Sequence, residues 1–176
     1  MTGAKMIIGL ALCVLPIGIA VAREPGSPST PAERERAVKV AHDLEEDPLS
    51  ESAAANRAWV VSWIHEVPDF RVKVCLDLIE PLLLSFGKSK DPLHAALGMQ
   101  LMISGTAFMF EHPERASDDV AVSLAGLTGV LRAYERVVVV QPTSRNEFLD
   151  KLIKTKDEGE LPAYVTAGVS KCGASK

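Results

Sequence analysis

Aromatic residues are scarce in this chain, with two Trp, two Tyr and five Phe among 176 residues. Several chemistry-bearing patterns are missing altogether. There is no C-x-x-C pair, no G-x-x-x-x-G-K loop, no G-x-S-x-G elbow, and no second histidine at helical spacing after His65-Glu66. Each absence removes a reaction class. Thioredoxin-type exchange and c-type haem attachment need the paired cysteines. Walker-type phosphate binding needs backbone amides held by the glycine loop, and a zincin needs two imidazoles on one helix face. An α/β-hydrolase nucleophile needs the strained elbow, so Ser104-Gly105 reads as helix interior. Basic patches are lacking too. Lys and Arg number 19 against 23 acids, for a net charge of −4, and no two are adjacent. A nucleic-acid partner, which calls for a basic stripe, is not expected.

The N-terminus is plainly legible. MTGAK supplies one basic residue, MIIGLALCVLPIGIAVA is wholly apolar, and the run closes on Ala20-Val21-Ala22. A basic start, an apolar stretch and an A-x-A site make residues 1–22 a cleaved signal peptide. As an uncleaved anchor the run would be at the short limit for ~30 Å of hydrocarbon, with Pro16 interrupting it. Cys13 follows Leu12, not a small residue, so it belongs to the apolar run and not to a lipoprotein site. A periplasmic or secreted location follows. The processed chain then keeps only Cys75 and Cys172, and in an oxidising compartment they are expected to pair. Such a bond would close a loop of roughly 100 residues, worth up to ~4.7 kcal/mol in the chain-entropy picture.

Residues 23–30 are rich in Pro, Gly and Ser and read as a flexible linker. The domain, residues 31–172, opens with Thr30 as cap, Pro31 in the first helical position and Glu33 completing a capping box. Ala37, Val38, Val40, Ala41 and Leu44 make one apolar side, and Asp47-Pro48 ends the first helix. A second helix over 50–67 buries Trp59, Val60, Trp63, Ile64 and Val67, and stops at Pro68. Residues 70–84 are ambiguous. Phe70, Val72, Val74, Leu76 and Leu78 alternate as in a half-buried strand, yet Val72, Cys75, Leu76, Ile79, Leu83 and Phe86 also form a helical stripe. With only VVVV at 137–140 as a strand partner, a helix kinked at Pro81 is expected. A fourth helix fills 92–111, with Asp91 as cap. A fifth starts at Ser117-Asp118-Asp119 and buries Val120, Leu124, Leu127, Leu131, Tyr134 and Val138. Helices near 144–155 and 162–171 finish the domain, and 173–176 form a disordered tail. Leu161, Tyr164, Val165, Gly168, Val169 and Cys172 share one side of the last helix, so both cysteines face inward.

The stretch from Pro92 to Phe110 has no formal charge apart from His94. At 1.5 Å per residue it would be a helix of roughly 28 Å, nearly enough to cross a bilayer. Gly98, Gln100, Ser104, Gly105 and Thr106 dilute its hydrophobicity, and acids, not basic residues, flank it. The neighbouring helices each carry an apolar stripe that needs covering, so this helix belongs at the centre of a soluble core. Gly98 and Gly105 would let neighbouring backbones approach. The fold class is therefore all-α, a single bundle of six or seven helices around a central apolar helix, with no membrane span once the signal is removed.

Candidate sites are few. Met99, Met102 and Met109 share a face that could attract a soft metal, but methionine also fills irregular cores, so no metal or cofactor is expected. His42, His65, His94 and His112 have no ligand spacing to one another. Asp43, Glu45, Glu46, Asp47 and Glu51 lack the order of a calcium loop and read as solvated charges. Asp118 and Asp119 read as helix-start acids. LRAYERVVVVQP resembles the second helix of a tetratricopeptide repeat, without a second copy. Through FMFEHPERASDDVAV and LRAYE, the chain from Trp59 onward resembles an uncharacterised group of small exported bacterial helical proteins with no assigned activity. That resemblance implies a helical exported domain and no particular catalysis. The expectation is a non-catalytic module, structural or protein-binding, in which Trp59, Trp63, Phe108 and Phe110 are core. The alternative is a small-ligand binder with an apolar pocket near Met102, Met109 and Trp63.

Overall fold

The structure is a computed structural model that describes residue 24, residues 26–89 and residues 92–174. The signal segment, the linker's Arg23 and Pro25, and the cap expected at Asp91 lie outside the described residues. Among the described residues seven α-helices follow one another: α1 Pro31–Glu46, α2 Ala53–Glu66, α3 Glu80–Ser89, α4 Pro92–Glu111, α5 Asp119–Val140, α6 Glu147–Asp157 and α7 Leu161–Ala174. No strand occurs among the described residues, and the fold is an all-α bundle with α4 at its centre.

The local signals act as the sequence implies. Thr30 accepts from the Glu33 amide while the Glu33 carboxylate reaches back, so the capping box at α1 is complete. Asp118 caps α5 by accepting from the Ala121 amide, and Asn146 caps α6 by accepting from Phe148 and Leu149. The last linker residues are not loose. Ser29 is 7% exposed, and its amide and hydroxyl both donate to Asp69, which also holds Arg34. At the other end α7 continues to Ala174, so the first two residues of the expected tail are helical.

Helix α4 is central because two apolar clusters need it. One cluster joins α1 and α2 through Ala37, Val40, Ala41, Leu44, Val60, Trp63 and Ile64 to Ile103 and Ala107 of α4. The other gathers α5, α6 and α7 with residues 75–82 around Leu97 and Leu101 of the same helix. By length and composition α4 could cross a membrane, but half of that window is buried inside the protein. Its apolarity does not mean burial all round, since Met99 remains 40% exposed.

Helices α4 and α5 form the largest interface, and glycine makes it possible. A Cβ on Gly126 would collide with the carbonyl oxygen of Leu101, and one on Gly129 with the hydroxyl of Ser104. At the glycines expected to matter, Gly98 and Gly105, an added Cβ would first meet the side chains of Leu83 and Val122, at looser distances of 3.0 and 3.3 Å.

Residues 70–84 depart from expectation. The kinked helix expected there is replaced by a non-helical stretch over 70–75, a 3-10 turn at Leu76–Ile79, and then α3. Arg71 explains part of this, because its guanidinium takes the carbonyl of Val67 at 2.6 Å and that of Phe70 at 2.8 Å. In a continued helix the Val67 carbonyl would receive the Arg71 amide instead. Phe70, Val72 and Val74 turn inward while Arg71 and Lys73 are exposed, the two-residue alternation of extended backbone. Pro81 introduces no kink, since it lies in the first turn of α3, where no amide is needed.

The close approach gives a direct test. Gly126→Ala should lower stability by about 1–3 kcal/mol through overpacking, despite the ~1 kcal/mol that alanine gains in helix propensity. Urea denaturation of the pure protein checks it, and an unchanged or raised midpoint would mean the helices are not that close.

Candidate binding site

Two of the surface depressions among the described residues stand out for the polar or unpartnered groups they bring together. The first is a cleft of about 330 Å³ between α1, α4 and α5, lined by His42, Glu45, Ser104, Phe108, Glu111 and Arg132 among others. Glu45 organises it. Expected among solvated acids, its side chain is instead 6% exposed. The physical reason is position: Ala37, Ala41 and Glu45 follow one another at four-residue steps down the buried face of α1. Asp43 and Glu46 on the neighbouring faces do remain at the surface, paired with Lys39 and Arg136.

A buried carboxylate needs partners, and Glu45 has them. The Ser104 hydroxyl donates to Oε1 at 2.6 Å, and Arg132 donates to Oε2 at 3.1 Å. Gln100, itself 1% exposed, donates to Ser104 at 3.0 Å and to the Ala41 carbonyl at 3.3 Å. Gly129 leaves the space in which Ser104 and Glu45 meet. His42 bridges outward, with Nε2 at 2.8 Å from Glu111 and Nδ1 at 3.7 Å from Glu45. Its hydrogen bond to Glu111 raises its pKa above the ordinary 6.5, with burial opposing and Glu45 assisting. The proton of Ser104 is thus held by a carboxylate, and the imidazole of His42 lies between two carboxylates. This arrangement joins three helices, α1, α4 and α5.

The second depression is an open groove of about 590 Å³ beside the disulfide. Cys75 and Cys172 are bonded, with Cα atoms 5.9 Å apart, which fastens α7 to the segment preceding α3. One wall is the continuous run from Val72 to Asp77; the other is Asp119 and Ser123 of α5 with Val169 and Cys172 of α7. Lys73 reaches Asp119 at 3.4 Å, and Leu76 stands 54% exposed. Cys75, Asp77 and Cys172 have ligand-type atoms within 4.8 Å of one another. Both sulfurs are spent in the disulfide, and metal binding would need them as thiolates.

The remaining candidates are structural. Trp63 is walled in by Trp59, Phe70 and Phe110 at ring-centroid distances of 5.4 to 5.9 Å, while Met109 lines a smaller depression of about 220 Å³ together with Arg71, Lys73 and Asp119. Trp59, Phe108 and Phe110 are partly buried, not fully so. His94 is buried, with Nδ1 at 3.1 Å from the Ser85 hydroxyl. His112 packs beside Phe108. Asp118 and Asp119 sit at the start of α5 as helix-start acids. No family model, curated protein or solved structure matches this chain.

The His42 bridge has a signed pH dependence. A raised folded-state pKa contributes stability that is full below the unfolded value and is lost as pH climbs through the folded one. The melting temperature of the native protein should therefore exceed that of His42→Gln by more at about pH 5.5 than at about pH 8. An equal difference at both pH values would show that the imidazole does not ion-pair with Glu111.

Proposed function

We propose that this chain is an exported, non-catalytic helical module that binds another protein. The observation that carries this reading is the open groove beside the disulfide, with one largely apolar wall and Leu76 54% exposed within it. Large apolar side chains left in a concave surface favour a partner that removes them from water. The polar cleft supports the same reading from the other side. Its Glu45, Ser104 and His42 are engaged with one another and with Arg132, Gln100 and Glu111, tying the bundle together.

Export is supported by the basic, apolar, A-x-A pattern of residues 1–22. The Cys75–Cys172 bond fits an oxidising setting. On this reading the working molecule begins at Arg23 and acts in the periplasm or outside the cell. A second reading, a binder of small polar ligands, draws on the cleft at His42, Glu111 and Arg132, whose volume of about 330 Å³ suits a small molecule.

In-cell photocrosslinking tests the proposal in one experiment. With a photoreactive amino acid in place of Leu76, irradiation should give a discrete adduct with another extracytoplasmic protein, and the adduct's own chain should start at Arg23. The same group in place of the exposed Val139 should give none. Absence of the adduct from position 76, or an adduct whose chain starts at Met1, would overturn the reading.

A further inference from the structure

We infer that residues 71–75 are an open β-edge that takes up an extended, mainly apolar peptide carrying one basic side chain, contributed by a partner protein. The inference rests on the protein-binding reading above and supplies its site and its chemistry.

The backbone is the first argument. Residues 70–74 alternate inward and outward as a strand does, with Phe70, Val72 and Val74 packed on the two apolar clusters and Arg71 and Lys73 exposed, and Cys75 ends the alternation by turning into the core. A strand makes sense of its main chain by pairing, yet none is present among the described residues. Within them, no protein group hydrogen-bonds the amides of residues 71–75 or the carbonyls of residues 71–74. The Cys75 carbonyl is engaged, by the Leu78 amide, where the 3-10 turn begins. A row of free donors and acceptors along extended backbone is a template for another extended chain.

The groove is the second argument, because it lies along this same segment. Its near wall is Val72 to Asp77, six consecutive residues. Leu76 and Asp77 already belong to the 3-10 turn, so residues 72 to 75, at about 3.3 Å each, could accompany a peptide for roughly 13 Å. The far wall, Asp119 and Ser123 with Val169 and Cys172, offers apolar contact for alternate side chains through Val169 and Cys172. The Cys75–Cys172 bond holds that wall at a fixed distance from the edge.

Charge selects among extended peptides. Lys73 is answered by Asp119. Asp77, exposed on the groove wall, has no partner among the described residues. It leaves the groove with one uncompensated negative charge, so an apolar peptide with a Lys or Arg near Asp77 is complementary. Main-chain pairing would give affinity, and the alternate side chains with the single cation would give selectivity.

A displayed library of random eight-residue peptides, panned on the processed, disulfide-bonded protein, provides the test. Enriched peptides should alternate apolar residues and carry a Lys or Arg. They should bind Leu76→Asp at least about tenfold more weakly, and Asp77→Asn should abolish the preference for the cation. On binding, amide hydrogen exchange within residues 71–75 should slow at least about tenfold as new main-chain bonds form. Enriched peptides that protect only other segments, such as the α1–α4–α5 cleft, would overturn strand pairing and leave the protein-binding reading standing. Failure to enrich any sequence would overturn both.

Discussion

The contact on which the rest of the structure depends is the glycine-lined seam between α4 and α5. Gly126 lies under the Leu101 carbonyl, and Gly129 leaves the space that Ser104 and Glu45 occupy. Backbones brought this close let one helix serve both apolar clusters, since Leu101 belongs to one and Ile103 to the other. The seam also positions the two surface features. It sets Arg132 of α5 over the Glu45 carboxylate, and it places Asp119 and Ser123, at the other end of α5, opposite residues 72–77.

Burying Glu45 is the cost this arrangement accepts. In general, a buried pair broken by removing one partner costs about 3–5 kcal/mol. Here the penalty is moderated, because Arg132 keeps 58% of its side chain exposed and water reaches that end of the pair. What the network adds is register. Ser104 and Gln100 of α4, Glu45 and the Ala41 carbonyl of α1, and Arg132 of α5 meet only when the three helices are aligned in one way. Apolar stripes alone tolerate sliding, and a buried polar network opposes it.

Much of this was readable in the sequence, where the signal was local or periodic. The capping box at Thr30, Pro31 and Pro92 at first helical positions, the stripe at Leu127, Leu131 and Tyr134, and the inward-facing cysteines all reappear in the fold. Glu45 reads as solvated from its charge, although its four-residue spacing from Ala37 and Ala41 points inward. The glycines of α5 give no such signal, because their partners lie on other helices and no one-dimensional pattern records that. Residues 70–75 fit helix and strand periods equally. Two facts outside the apolar pattern decide it, the local bond from the Arg71 guanidinium to the Val67 carbonyl and the long-range disulfide fixing Cys75 to α7. Both depressions combine residues far apart in the chain, so neither could be found from spacing.

Amide hydrogen exchange across α4, followed at rising urea concentrations below the unfolding transition, addresses the central claim most directly. If the helix is clamped between two cores through its seam with α5, the amides from Leu101 to Ala107 should open only with the whole molecule. Their exchange would then carry the full denaturant dependence of global unfolding. Exchange of those amides through small, urea-insensitive openings would contradict the account, because it would mean that α4 can loosen while the bundle stays folded.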